Sequence, residues 1–292
     1  MKWDGERESD NVDDVRDGSG GSAGGIGLPH LSLGGVVIAL LASWLFGINP
    51  LTVLGLMQGQ GGASVSAPAQ APRAHQGPED PEYKFVRVVL ASTEDVWSAY
   101  FAQHGQPYPV PRLEVYRGSY PTACGTGSAA MGPFYCPGDR KVYLDLDFFD
   151  TLDHQLGAPG TFARAYVVAH EVGHHIQNLM GTTAKVDQAR QRLSETQYNA
   201  VSVRLELQAD CYAGVWAARS DQSKHWLEQG DIESALNAAS QIGDDTLQRH
   251  ARGTVVPESF THGTSAQRVH WFRQGMEHGD PADCDTFGTR TL

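Results

Sequence analysis

The stretch His170-Glu171-Val172-Gly173-His174 decides the reading of this 292-residue chain. On a helix, two imidazoles at i and i+4 stand one turn apart on a single face, so both rings can reach one ion. Glu171 lies about 100° round from His170, near the same opening but off the metal axis. That placement suits a base acting on a metal-activated water rather than a third ligand.

The flanks predict a helix. Ala163, Ala165, Val167, Val168 and Ala169 precede the motif, Ile176 and Leu179 follow it, and Gly181 offers a stop after Met180. The bland alternative is a pair of histidines satisfied by hydrogen bonds on an ordinary packed helix. A second expected helix, over about 199–218, weighs against it, because it carries Glu206 and Asp210 at i and i+4. Glu206 is the candidate third ligand of a His2Glu zinc site whose fourth position is left for water. Asp210, one turn on, is the candidate acceptor for the outer N–H of a ligating histidine. For these two acids the alternative is a solvated face or a salt bridge to Arg204. Small residues at Gly173, Ala209, Ala213 and Gly214 would allow the two backbones to approach closely.

Composition narrows the partners. With 22 Lys+Arg against 34 Asp+Glu, the formal charge is -12, which disfavours nucleic acid as a partner. The four cysteines, Cys124, Cys136, Cys211 and Cys284, permit three pairings. A local Cys124–Cys136 bridge would leave Cys211 for Cys284, an arrangement that needs an oxidising compartment. Free buried thiols are the alternative, and no close CxxC pairs suggest a structural zinc knuckle.

Residues 1–27 read as a disordered acidic tail, being polar and Gly/Ser-rich. Residues 28–57 read as one transmembrane segment: no charged side chain occurs between Leu31 and Met57, and a spanning helix needs roughly 20 apolar residues. Residues 58–81 form a Gly/Ala/Ser/Pro linker, and 82–292 the folded domain. Bridged cysteines place that domain outside the cytoplasm.

Within the domain, Phe85–Leu90 is β-prone and Ser92–Asp95 resembles a helix start running to about Gln103. Leu113–Tyr116 alternates like a strand, and 122–127 and 132–139 hold short extended pieces. Lys141–Phe148 is the clearest strand, expected as an edge strand able to pair with an extended peptide. On it Asp145 and Asp147 are expected on a solvated face, with calcium as the lesser reading. After the His-bearing helix, 184–219 is helical with a break near Tyr198-Asn199, and further helices start near Asp231 and Thr264. The expected class is therefore α+β, a small β-region followed by a mostly helical scaffold.

The chain also resembles the family of putative neutral zinc metallopeptidases, a membrane-anchored bacterial group. The resemblance covers nearly the whole chain. It rests on Met1-Lys2-Trp3 with Arg7 to Val12, Gly132 to Pro137, Val142 to Asp145, His170 to His175, Glu206 to Gly214, and Thr261-His262-Gly263-Thr264-Ser265-Ala266-Gln267-Arg268. The site is similar to that of the gluzincins. This implies a zincin-like domain in which His170, His174 and Glu206 bind Zn2+, Glu171 is the general base and Asp210 supports His170. It further implies a bacterial cell-membrane location and a peptide or protein as substrate; the single apolar segment and the bridged cysteines make the expected topology single-pass, with the catalytic domain on the extracytoplasmic side.

The expected reaction is hydrolysis of a peptide bond. His262, in a Gly-flanked polar turn, is the first candidate donor to the oxyanion and Tyr212 the second, while His175 is expected to be outside the metal's ligand set. Two other functions stay open: a membrane-tethered binding or assembly protein with a structural zinc, and a zinc amidase acting on cell-wall peptide.

Overall fold

Strands β2 (Arg112–Tyr116) and β6 (Lys141–Asp145) run parallel at the centre of a four-stranded sheet. Both are buried on both faces over most of their length, as expected of parallel strands covered by helices. In the computed structural model, which describes residues 1–16, 80–128 and 132–292, β1 (Val12–Asp14) pairs parallel with β2. At the other end β5 (Phe134–Cys136) pairs antiparallel with β6, giving the order β1-β2-β6-β5. Strands β3 (Ser119–Thr122) and β4 (Gly125–Ser128) form a separate hairpin. A Cys124–Cys136 disulfide ties its tip to β5.

The helices supply most of the mass. Helix α1 (Pro81–Gln103) starts where Asp80 accepts from the Glu82 N–H at 2.9 Å, with Pro81 in its first turn. Helix α2 (Asp147–Asp150) runs into a π turn over Thr151–Gln155. Then follow α3 (Thr161–Leu179), α4 (Thr182–Arg190) and α5 (Glu195–Lys224). The last three are α6 (Asp231–Gln241), α7 (Asp244–Arg252) and α8 (Ser265–His278). Capping boxes, Ser194 with Gln197 and Thr264 with Gln267, fix where α5 and α8 begin. One continuous core runs through the sheet and helices, including Phe85, Trp97, Leu144, Phe162, Trp216 and Phe272. Cys211 on α5 is bridged to Cys284, pinning the segment after α8 onto the helix that carries Glu206.

Several expectations are corrected. Phe85–Leu90 is helical, not a strand: α1 is continuous through Ser92, and its first half is buried nearly all round, so packing overrides the β-preference of its valines. The helix break falls between Arg190 and Glu195 instead of at Tyr198-Asn199, set by the Ser194 cap. Strand β6 is interior, not an edge. Asp145 is fully buried and accepts from the Gly118 and Asp147 backbone N–H groups, each at 3.0 Å. It therefore tethers two chain segments and presents no solvated face.

The described N-terminal residues, 1–16, pack onto the fold. Residues 1–16, expected to be a disordered tail, belong to the same compact unit as 80–292. Arg7, Ser9 and Asn11, alternate residues of an extended arm, all reach the buried Glu94 carboxylate on α1 at 3.1, 2.5 and 2.8 Å. Trp3 packs edge-on against Phe85 at 5.4 Å, and Val12 enters the core.

This arrangement also bears on the expected membrane anchor. The segment 28–57, like most of the linker 58–81, lies outside the described residues. Among the described residues, no helix is long and apolar enough to cross a membrane. Moreover Arg16 and Asp80, which flank that segment, are ion-paired in one unit, whereas a single crossing between them would leave them on opposite sides of a bilayer. The fold of the described residues is accordingly α+β with no membrane-spanning helix among them, and the expected membrane partner, membrane-anchored family character and single-pass location are not carried forward.

Candidate active site

Helices α3 and α5 cross where both are smallest. A Cβ built on Gly173 would stand 3.0 Å from the Ala209 carbonyl oxygen and 3.1 Å from its Cα. This contact brings Glu206, one turn before Ala209 and Asp210, up to the two histidines. Gly214, expected to serve the same crossing, instead faces Phe272 and Met276 of α8.

Ligand atoms of His170, His174 and Glu206 all lie within 4.8 Å of one another, forming the one metal-ready cluster among the described residues. Glu206 Oε2 is 3.3 Å from His170 Nε2, and Oε1 is 3.6 Å from His174 Nε2. Donors held about 2.0–2.2 Å from a tetrahedral zinc stand about 3.3 Å apart, so the spacing fits that ion. Both nitrogens are Nε2, leaving the Nδ1 atoms for outer partners.

The electrostatics favour a cation. Burial opposes charging His170, but Asp210 and Glu206 outweigh it and push its pKa up to about 10. Burial likewise opposes ionisation of Glu206, yet the two imidazoles hold its carboxyl well below the usual range. A buried set that draws in protons in this way has negative charge to neutralise, and a divalent cation does so directly. Glu171 is buried beside this cluster, and burial raises its carboxyl, the direction useful to a general base.

Asp210 is fully buried and holds four donors. It accepts from His170 Nδ1–H at 2.8 Å and from the Tyr166 hydroxyl at 2.5 Å. Arg268 contributes Nε–H at 2.8 Å and an Nη2–H at 2.9 Å. Burial opposes its charge, but Arg268 and then His170 hold its pKa at about 2. Sequence reasoning missed Tyr166 and Arg268 as participants. Tyr166 stands one turn before His170, and Arg268 ends the Thr261–Arg268 signature, so both were within sight of quoted motifs.

His262 lines the same cleft as His170, Glu171, His174 and Glu206. Its loop is organised by Asp244, whose Oδ2 accepts from the backbone N–H groups of Thr261, His262 and Gly263 at 2.8, 2.6 and 3.0 Å. Oδ1 lies 3.2 Å from His262 Nδ1, leaving Nε2 as the nitrogen available to a substrate. Burial lowers the His262 pKa, but Asp244 and then Glu206 raise it overall. Tyr212 is elsewhere, buried against Trp97 at 5.7 Å with its hydroxyl toward Met180 sulfur at 3.4 Å. His175 is buried, donating from Nε2 to the Pro109 carbonyl at 2.7 Å while Nδ1 accepts from Tyr135, and so is outside the cluster. The remaining cleft wall is mainly apolar, with Phe134, Phe148, Leu156, Val167, Ile242 and Leu247 around a volume near 770 Å³.

Comparison with known proteins agrees with this geometry. The chain matches the family described as "Putative neutral zinc metallopeptidase" over residues 1–287. It is 51% identical to the YpfJ protein of Escherichia coli K12 over 289 residues, 99% of each chain. It is 41% identical to Rv2575 of Mycobacterium tuberculosis H37Rv over 219 residues, 72% of this chain and 73% of that one. No solved structure matches it.

Proposed function

Because the chain belongs to the neutral zinc metallopeptidase family, and hydrolyses peptide bonds with zinc at the His170, His174 and Glu206 cluster, we propose roles for its individual residues and an endopeptidase specificity. The observation that carries this reading is the three-sided approach of two imidazoles and one carboxylate, with a second carboxyl, Glu171, facing the same cleft.

His170, His174 and Glu206 would hold the ion, which when bound activates a water and polarises the scissile carbonyl. Glu171 takes the proton released by the attacking water and passes it to the leaving amine. The buried, water-poor wall around Glu171 keeps that carboxyl basic enough to accept the proton. Asp210 fixes His170 with its Nδ1 protonated and its Nε2 lone pair turned to the cluster. His262, oriented by Asp244, donates from Nε2 to the carbonyl oxygen as negative charge develops there.

The substrate is read from the walls. Among the described residues, the charged groups lining the cleft are Glu171, Glu206 and Arg268 besides the histidines, and Arg268 is already committed to Asp210. This leaves no free charged side chain there to receive a terminal amine or carboxylate, which favours cleavage inside a chain. Val167 stands one turn before His170 and Glu171 on the same face of α3 and opens the apolar wall, so a large apolar side chain next to the scissile bond is favoured. Strand β5 ends the sheet, and its Phe134 and Tyr135 line the cleft. An extended peptide would add beside it, a role expected earlier for β6.

Internally quenched peptides with both termini blocked test the proposal. Zinc-dependent cleavage is expected, faster with Leu or Phe than with Asp beside the bond by at least tenfold. Trimming of free-ended peptides alone, with blocked ones untouched, would overturn the endopeptidase reading.

A further inference from the structure

His174 has an outer partner that the reaction scheme above does not use. Its Nδ1 lies 2.8 Å from Gln177 Oε1, one turn further along α3. Gln177 is completely buried. Which end of its amide faces the imidazole is fixed by its other neighbours. Gln177 Nε2 donates to the Leu205 carbonyl at 2.6 Å and to Gln208 Oε1 at 3.3 Å. A backbone carbonyl can only accept, so the amide nitrogen must point at Leu205 and the amide oxygen at His174. Gln208 is held the same way round, because its own Nε2 donates to the Cys284 carbonyl at 3.0 Å. An oxygen facing Nδ1 requires that nitrogen to carry the proton, which leaves Nε2, the atom 3.6 Å from Glu206, with its lone pair in the cluster.

We propose that Gln177 is the positioning residue of His174: through an amide orientation locked by the Leu205 carbonyl, it selects the tautomer in which His174 can bind zinc. The two imidazoles are thereby held by unlike partners, His170 by an ionised carboxylate and His174 by a neutral amide. Leu205 immediately precedes Glu206 on α5, so the same amide also ties the third ligand's helix to the second ligand. The chain of acceptors ends on Cys284, whose disulfide to Cys211 sits one residue from Asp210. Both outer supports of the cluster are therefore anchored at one covalent point. The proposal rests on His174 being a zinc ligand.

Two variants separate positioning from simple bracing of the helices. Gln177→Leu removes the acceptor for His174, and zinc affinity is expected to fall 10- to 100-fold, the usual range for loss of an outer partner. Gln177→Glu keeps an acceptor for Nδ1–H but sets a carboxylate oxygen against Leu205 O and Gln208 Oε1. Its melting temperature should therefore drop while its zinc affinity stays within tenfold of wild type. In zinc-loaded wild type, nitrogen-15 NMR should show His174 protonated at Nδ1. Zinc affinities are measured by competition with a chelating dye on protein with native circular dichroism. Gln177→Leu binding zinc as wild type does, or Gln177→Glu losing as much affinity as Gln177→Leu, would overturn the proposal. If Gln177→Leu does not fold, the affinity of Gln177→Glu decides alone: retention supports it and a loss beyond tenfold overturns it. His174→Ala is the separate control, since wild-type zinc binding there would remove the ligand assignment whatever Gln177 does.

Discussion

Gly173 and Ala209 meet so closely that an added Cβ on the first would touch the backbone of the second, with the carbonyl oxygen 3.0 Å away. One residue after Gly173 comes His174, and three residues before Ala209 comes Glu206, so the contact sets the gap that the metal must bridge. Gly173→Val should push α5 outward and destabilise the fold by about 1–3 kcal/mol. Because Glu206 moves with α5, zinc affinity should fall as well. Denaturant unfolding and zinc titration check both, and a variant with unchanged zinc affinity would show that the crossing does not set the ligand spacing.

Glu171 adjoins His170 but is not part of the three-residue cluster. Glu171→Gln should retain a full complement of zinc and lose cleavage by about 10²–10⁴-fold, the range expected when a general base is removed. Metal content and turnover measured on one preparation settle this.

His262 is held by Asp244 with one ring nitrogen left over. His262→Phe should lower kcat by about 10²–10³-fold with little change in KM, since the donor works on charge that appears only in the transition state. A rise in KM alone would instead assign His262 to ground-state binding.

Arg268 and Asp210 are buried together. Arg268→Met strands the Asp210 charge and should cost about 3–5 kcal/mol, read from unfolding of the metal-free protein. The pair also has a pH signature. Asp210 is held at about 2 in the fold, below the roughly 3.9 of an unfolded aspartate. Its contribution is therefore present above about pH 4 and lost as pH falls toward 2. Asp210→Asn should flatten that part of the acid branch, and an unchanged slope would contradict the assignment.

Much of this site was legible because its chemistry is written at helical spacing. His170, Glu171 and His174 share a turn, and Glu206 and Asp210 repeat that spacing on a helix with matching small residues. Strands β2 and β6 could be read from the alternation of their side chains, though not their neighbours, since pairing order depends on contacts far apart in sequence. That is why β6 was expected at an edge. The arm over 1–16 was missed for a different reason. Its anchors are polar, Arg7, Ser9 and Asn11, and their shared partner Glu94 lies more than 80 residues away. Polar, acidic composition ordinarily signals disorder, and only a specific buried carboxylate reverses that. The single-pass anchor followed from reading 28–57 in isolation, whereas the pairing of residues on either side of it constrains the topology. Gln177 carries no charge and no motif flagged it, so only the hydrogen-bond directions reveal its role.

The central claim is that His170, His174 and Glu206 share one zinc ion with a solvent position left open. Anomalous diffraction at the zinc edge from crystals of the metal-loaded protein tests it most directly. The account predicts one peak about 2.0–2.2 Å from His170 Nε2, His174 Nε2 and a Glu206 oxygen, with a solvent molecule as the fourth neighbour. A peak that Glu206 does not touch, or one whose fourth neighbour is a protein side chain, would contradict it.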